Sequence, residues 1–134
     1  MDNRDLTRYW MIVAGIALVG AGALGFVPGN PIASEDPDAL FRVNAIHNVI
    51  HIVTGLLALG IGLGMRGADL ARGAIAFGAL YAVVTLLLLV DPTLFGLFED
   101  VPANTADHVL HAALAVVSIA LGYMALERRE AVAR

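Results

Sequence analysis

Long apolar stretches alternate along this chain with short segments that carry nearly all of the charged residues. The apolar stretches cover residues 9–27, 40–65, 73–91 and 105–126, allowing a residue or two at each end. A helix rises about 1.5 Å per residue, so roughly 20 apolar residues cross the ~30 Å hydrocarbon core of a bilayer. The pattern predicts an all-α integral membrane protein in which residues 1–134 form a single four-transmembrane-helix bundle.

Composition supports lipid as the solvent of this chain. Hydrophobic residues make up 59% of it and charged residues only 15%. A water-soluble domain of 134 residues could not cover that much apolar surface. The chain has no cysteine, which excludes disulfides, thiolate metal ligands and haem attached through Cys-x-x-Cys-His. No sequence feature indicates nucleic-acid binding or a Ser or Cys nucleophile.

The charges are divided between alternate segments, and this division predicts an orientation. All arginines but Arg42 fall in the N-terminal tail, the middle loop and the C-terminal tail, whereas the charged residues of the other two loops, Arg42 excepted, are acids. Because cytoplasmic segments carry the arginine excess, we expect a multi-pass protein of the inner (plasma) membrane with both termini cytoplasmic. The arginines are Arg4, Arg8, Arg66, Arg72, Arg128, Arg129 and Arg134, and the acids are Glu35, Asp36, Asp38, Asp91, Glu99 and Asp100.

The loops carry local signals as well. Asp36-Pro37 is a credible N-cap and first helical position, so the second helix is predicted to begin before the apolar stretch. The apolar segment 91–98 is predicted to lie along the membrane interface as a short helix. The aromatic residues expected at the two interfaces are Tyr9 and Trp10 on one side and Phe26, Phe41, Phe95 and Phe98 on the other.

All four histidines lie in two polar clusters that match each other sixty residues apart. Each cluster is followed by an apolar stretch in which small residues also match. This predicts two tandem, parallel helical-hairpin repeats. The matched pairs are Asn44/Asn104, His47/Asp107, Asn48/His108 and His51/His111, then Gly55/Ala115, Ala58/Ser118 and Gly62/Gly122.

The spacing of each cluster places its polar side chains on one face of a helix. Small residues continue that face and would let two membrane helices approach closely. We therefore expect the second and fourth helices to pack on each other, with an outward-facing polar site between them. A twofold relation would bring His47 to His108 and Asn48 to Asp107. The predicted polar network is Asn44, Asn48, Asn104 and Asp107.

These motifs resemble a known family. Its pattern is matched by Leu40-Phe41-x-x-Asn44-x-x-His47-Asn48-x-x-His51-x-x-x-Gly55 and by Val101-Pro-x-Asn104-Thr-Ala-Asp107-x-x-Leu110-His111. The chain is similar in these residues, and over most of its length, to the bacterial membrane family catalogued as domain of unknown function 4383. The resemblance implies four helices and supplies no activity, substrate or cofactor.

Three interpretations of the histidines stay open. In the first, imidazoles and amides form a hydrogen-bonded polar seam, and Asn104 with Asp107 begins a capping box. In the second, the side chains bind a transition metal such as Zn, Cu or Fe; haem fits less well between closely packed helices. In the third they form a proton or ion path, which the apolar inner half of the interface disfavours. The candidate metal ligands are His47, His51, His108 and His111.

We accordingly expect a non-enzymatic structural, accessory or assembly component of the membrane. A metal- or haem-linked redox or sensing protein is the alternative, and a small-solute or proton transporter is the second alternative. The expected surroundings are the lipid bilayer and either a homo-oligomer or a larger membrane complex. The small residues Gly60 and Gly64 offer a self-association face.

Overall fold

Four helices make up most of the protein, as the hydropathy pattern predicts. The computed structural model describes residues 2–132, and the side chains of residues 2–126. Each helix is long and apolar enough to cross a membrane. Arg134 lies outside the described residues, and so do the side chains of Arg128 and Arg129. The helices are α1 (Asn3–Leu24), α2 (Ala45–Gly64), α3 (Gly67–Val90) and α4 (Thr105–Val132).

Capping residues explain where the helices begin. α1 begins six residues before its apolar stretch because Asp2 and Asp5 form a capping box. α2 begins at Ala45, after the N-cap Asn44, whose Oδ1 accepts from the backbone N–H of His47 at 2.9 Å. The predicted start at Asp36-Pro37 is wrong. Asp36 accepts instead from the N–H of Asp38 in a turn between two short parallel strands, β1 (Ala33–Ser34) and β2 (Phe41–Arg42).

Two helical hairpins, α1–α2 and α3–α4, have closely packed backbones. A Cβ atom at Gly15 would lie 2.8 Å from the carbonyl oxygen of Gly55, on α2. A Cβ atom at Gly78 would likewise lie 2.8 Å from the carbonyl oxygen of Ala115, on α4. Real Cβ atoms do not approach backbone so closely, and each contact therefore requires glycine.

The predicted packing of α2 on α4 along their small residues is wrong. Gly55 faces Val19 of α1, and Gly122 faces Ala71 of α3. In the described part of the chain, no Cα atom of α2 lies within 8 Å of one in α4. The small residues of α2 and α4 pack against the partner within the same hairpin, although long connections, 25–44 and 91–104, join the helices of each hairpin. Helices α2 and α4 therefore lie diagonally, and only long side chains reach between them.

At the end of the bundle that holds the α2–α3 turn, side chains of α1 tie the helices together. The Arg8 guanidinium donates to the carbonyl oxygens of Gly62 (2.8 Å) and Met65 (3.1 Å), and so caps the C-terminus of α2. The Trp10 indole donates to the Ser118 hydroxyl of α4 at 2.8 Å. Trp10 thus joins α1 to α4, whereas Tyr9 is exposed as an interfacial residue would be.

The opposite end, called here the loop end, holds the segments 25–44 and 91–104. Segment 91–98 is a series of turns, so the predicted short helix is wrong. Leu94, Phe95 and Glu99 have positive φ angles, which interrupt helical geometry. The Thr93 hydroxyl and N–H donate to Asp91 and hold the pKa of that carboxyl below its usual value. Phe98, assigned to the lipid interface from sequence, is buried.

Asp107 joins the two hairpins at the loop end. With Asn104 it forms the predicted capping box, in which the Asn104 N–H donates to Asp107 Oδ2 (2.9 Å) and the Asp107 N–H donates to Asn104 Oδ1 (3.0 Å). The same Oδ2 accepts from the N–H of Arg42 in β2 at 3.2 Å. The predicted Asn48–Asp107 bond is therefore wrong, because the Asp107 carboxylate serves backbone groups.

Adding one methyl group to α2 tests the backbone contact. Gly55→Ala should lower the free energy of unfolding by about 1–3 kcal/mol, because its Cβ would lie 2.8 Å from the Val19 nitrogen. Gly60→Ala, on the same helix, meets nothing within 4 Å and should raise stability by about 0.5–1 kcal/mol. Denaturation in detergent micelles measures both. Equal effects of the two substitutions would contradict the packing.

Removing the Asp107 carboxylate tests the junction between the hairpins. Asp107→Ala should lower the free energy of unfolding by about 1–3 kcal/mol, because it leaves the N–H groups of Arg42 and Asn104 without an acceptor. Asp107→Asn keeps an amide oxygen there and should recover most of that loss. The same denaturation measurement compares them, and an alanine variant as stable as the asparagine variant would refute the role of the carboxylate.

Candidate metal centre

Three of the four histidines converge near the loop end of the bundle. His47 and His51 are one turn apart on α2, and His111 comes from α4 across the diagonal. One ring nitrogen from each lies within 4.8 Å of the other two. The Nε2 atoms of His51 and His111 are 3.4 Å apart. All three side chains are at most 2% exposed, so water does not reach them freely.

Aromatic packing fixes the orientation of the three rings. Phe98 stacks on His47 with ring centroids 4.3 Å apart and an interplanar angle of 6°. His51 meets the His47 ring edge to face at 4.4 Å. The Tyr81 ring lies 5.5 Å from that of His111, and its hydroxyl is 2.7 Å from Thr54 Oγ1. The turn segment that buries Phe98 therefore positions a candidate ligand.

The buried ring nitrogens lack hydrogen-bond partners. Among the described residues, both nitrogens of His47 and Nδ1 of His111 are buried and unpaired. The one contact between histidine nitrogens, 3.4 Å, is longer than the 2.7–3.2 Å usual for a hydrogen bond from N–H. An unpaired buried polar group costs about 1–3 kcal/mol. Direct hydrogen bonds between side chains do not account for this geometry.

The same distances suit a shared metal ion. A tetrahedral Zn²⁺ with Zn–N bonds of about 2.0–2.1 Å holds its ligand nitrogens roughly 3.3 Å apart. The 3.4 Å between His51 and His111 matches that spacing. The remaining nitrogen, within 4.8 Å, reaches the ion after a shift of about 1 Å or a little more. Three imidazoles are also a suitable donor set for Cu or Fe.

His108, the fourth candidate ligand, does not join this group. The described residues that bring ligand atoms together are His47, His51 and His111 alone. His108 is half-buried, and its Nδ1 has no partner in the described part of the chain. The predicted approach of His47 to His108 assumed that α2 faces α4. In the diagonal arrangement His111 is the α4 histidine that reaches His47 and His51 of α2.

The predicted polar network divides into separate parts. Asn44 and Asn104 cap the N-termini of α2 and α4. Asn48 turns toward α1, where its carboxamide occupies the space that a Cβ at Gly25 would need. Its Oδ1 is buried without a partner among the described residues. Only the histidines therefore converge on one point.

A cavity of about 120 Å³ adjoins the three histidines. Its walls come from α2, α3 and the turns after α3, and they are almost entirely apolar. Such a volume is far too small for a haem macrocycle. The sequence pattern missed Phe98 and Tyr81 as members of this site. Aromatic residues do not stand out in a sequence that is largely apolar, so the pattern did not indicate that these two lie beside the histidines.

One comparison with known proteins gives a match, to a family model. The family model described as domain of unknown function (DUF4383) matches residues 8–124, which include the three converging histidines and Phe98. No curated protein and no solved structure matches the chain. Since the family model covers most of the sequence, the chain belongs to the DUF4383 family.

Proposed function

We propose that this protein is a multi-pass membrane protein that binds one transition-metal ion through His47, His51 and His111. The observation that carries the proposal is that one ring nitrogen of each of these three buried histidines lies within 4.8 Å of the other two, while both nitrogens of His47 have no partner among the described residues. A bound ion gives one nitrogen of each ring a partner, including a His47 nitrogen that has none otherwise, and so lowers the cost of burying these rings. Zn, Cu and Fe all fit the donor set.

The ion would serve as a cross-link between the hairpins. Its ligands come from α2 and α4, whose backbones do not meet in the described part of the chain. Metal that binds only the folded state stabilises it, by about 2.7 kcal/mol at a free concentration one hundred times Kd. This supports a structural or assembly role in which the metal holds the bundle together.

A proton or ion path fits the structure less well. Between the histidines and the end of the bundle that holds the α2–α3 turn, the buried polar side chains among the described residues are Ser118 and Thr7. Ser118 accepts from Trp10, and Thr7 donates to carbonyl oxygens of Asn3 and Leu121. Their hydrogen bonds are internal to the bundle, so no chain of titratable groups leads away from the site among the described residues.

Membrane insertion is the natural setting for the four helices. Their outward faces carry large exposed apolar side chains, such as Val13, Leu63, Leu86 and Val116. Such faces need lipid around them. With the division of arginines and acids, this supports placement in the inner membrane, with both termini and the α2–α3 turn in the cytoplasm and the histidine site near the opposite surface.

A duplicated hairpin accounts for the composition of the site. Gly78 lies 63 residues after Gly15 and makes the same contact, and Ala115 lies 60 residues after Gly55. In this alignment His51 corresponds to His111, whereas His47 corresponds to Asp107, whose carboxylate caps α4. Asn48, which turns toward its hairpin partner α1, corresponds to His108. The repeat therefore supplies three ligands, and the fourth histidine is expected to face α3.

Metal titration of paired histidine variants tests the proposal. Chelator-treated protein in detergent should bind one equivalent of Co²⁺, observed by its visible absorption. His47→Ala should weaken binding by at least about 100-fold, since even the loss of a residue that only supports a ligand costs 10–100-fold. His108→Ala, on the α4 turn that precedes His111, is the matched control and should bind as the wild type does.

Two results would overturn the proposal. If the wild-type protein binds no stoichiometric metal, trapped water rather than an ion occupies the site. Equal losses in the His47 and His108 variants would show that the ligands are not those in the three-histidine group.

A further inference from the structure

The geometry points to a ligand as well as an ion. We infer that the metal centre, when it holds Fe or Cu, binds a small uncharged molecule, of the size of dioxygen or nitric oxide, which reaches it from the bilayer. This inference rests on the proposed metal site, and it assigns a ligand to the coordination position of the ion that no protein side chain fills. The observations that carry it are the number of ligands, the cavity beside them, the chemistry of its walls and the place where it adjoins lipid.

The three-histidine set leaves a coordination position free. Zn²⁺ and similar ions take four ligands in tetrahedral sites, and sites with three protein ligands keep the fourth position for water or substrate. Among the described residues, no other His, Cys, Asp or Glu belongs to the group. The nearest carboxylate in sequence, Asp107, is held by the N–H groups of Arg42 and Asn104.

The cavity gives that position a size limit. Its 120 Å³ adjoins His47, His51 and His111 directly. A water molecule in the liquid takes about 30 Å³. The space beside the histidines therefore suits a molecule of a few heavy atoms.

The walls select against charge. Leu80, Val84 and Leu94 form the apolar wall, and no charged residue lines the cavity. The two hydroxyls present, of Thr54 and Tyr81, are hydrogen-bonded to each other at 2.7 Å. An anion entering this space would lose its hydration without a compensating partner other than the metal. A small neutral molecule gives up little hydration free energy on entering.

The position of the cavity favours entry from lipid. Phe98 and Leu94 cover it at the loop end, and Phe98 is only 2% exposed. Leu80, on the side formed by α2 and α3, is 42% exposed and belongs to the apolar outer surface of the bundle. The least covered wall therefore faces hydrocarbon, in which uncharged diatomic gases dissolve readily.

Nitric oxide is the probe for this site, and azide is a charged comparison of similar size. Anaerobic Co²⁺-loaded protein in detergent should lose its high-spin electron paramagnetic resonance signal on addition of nitric oxide and keep it with azide. Leu80→Trp should fill the cavity and weaken nitric oxide binding by about tenfold or more, with Co²⁺ affinity unchanged. Leu86→Trp, also exposed on α3 but away from the cavity, is the matched control.

The outcomes separate the two proposals. Protein that binds no Co²⁺ overturns both of them. Protein that binds Co²⁺ but neither responds to nitric oxide nor prefers it to azide overturns only the ligand site. Because that comparison uses the wild-type chain, it stands even where Leu80→Trp does not fold. A Leu80→Trp protein that keeps Co²⁺ and binds nitric oxide as Leu86→Trp does would place the ligand outside the cavity.

Discussion

The close approach of helix backbones within each hairpin is the constraint on which this structure depends. Gly15 against Gly55, and Gly78 against Ala115, leave no space for a side chain on one partner. Because these contacts use the small residues of α2 and α4, the two helices are turned toward their hairpin partners. They meet across the bundle through side chains, where the rings of His47 and His51 of α2 lie beside that of His111 of α4.

The helices and the histidine-rich end could be predicted because their signals are local. Twenty-residue apolar stretches specify the spans, and Asn104 with Asp107 specifies the N-terminus of α4, without knowledge of the partner helix. The N-cap predicted for α2, Asp36, is wrong, since Asn44 takes that position. The choice of neighbour could not be predicted in this way. A stripe of small residues predicts that another helix packs closely against it. Gly55 does not indicate whether that helix is α1 or α4. The helix predicted for segment 91–98 is wrong for a related reason: Leu94 and Phe95 have positive φ angles, and the stacking of Phe98 on His47 is a long-range contact that the local pattern does not indicate.

The pairing of the helices determines which histidines form the site. A face-to-face pairing would have used all four and would have bonded Asn48 to Asp107. In the diagonal arrangement Asn48 turns to Gly25, Asp107 caps α4, and three imidazoles converge with few hydrogen bonds of their own. Burial without partners is costly in an apolar bundle, and a shared ion is the simplest group that offsets the cost at these distances.

X-ray absorption spectroscopy of the metal-loaded wild-type protein tests the three-histidine centre most directly. The account predicts three imidazole ligands with metal–nitrogen distances of about 2.0–2.1 Å for Zn²⁺, and at most one additional light atom. A coordination shell made only of oxygen atoms, or one with a single imidazole, would contradict it.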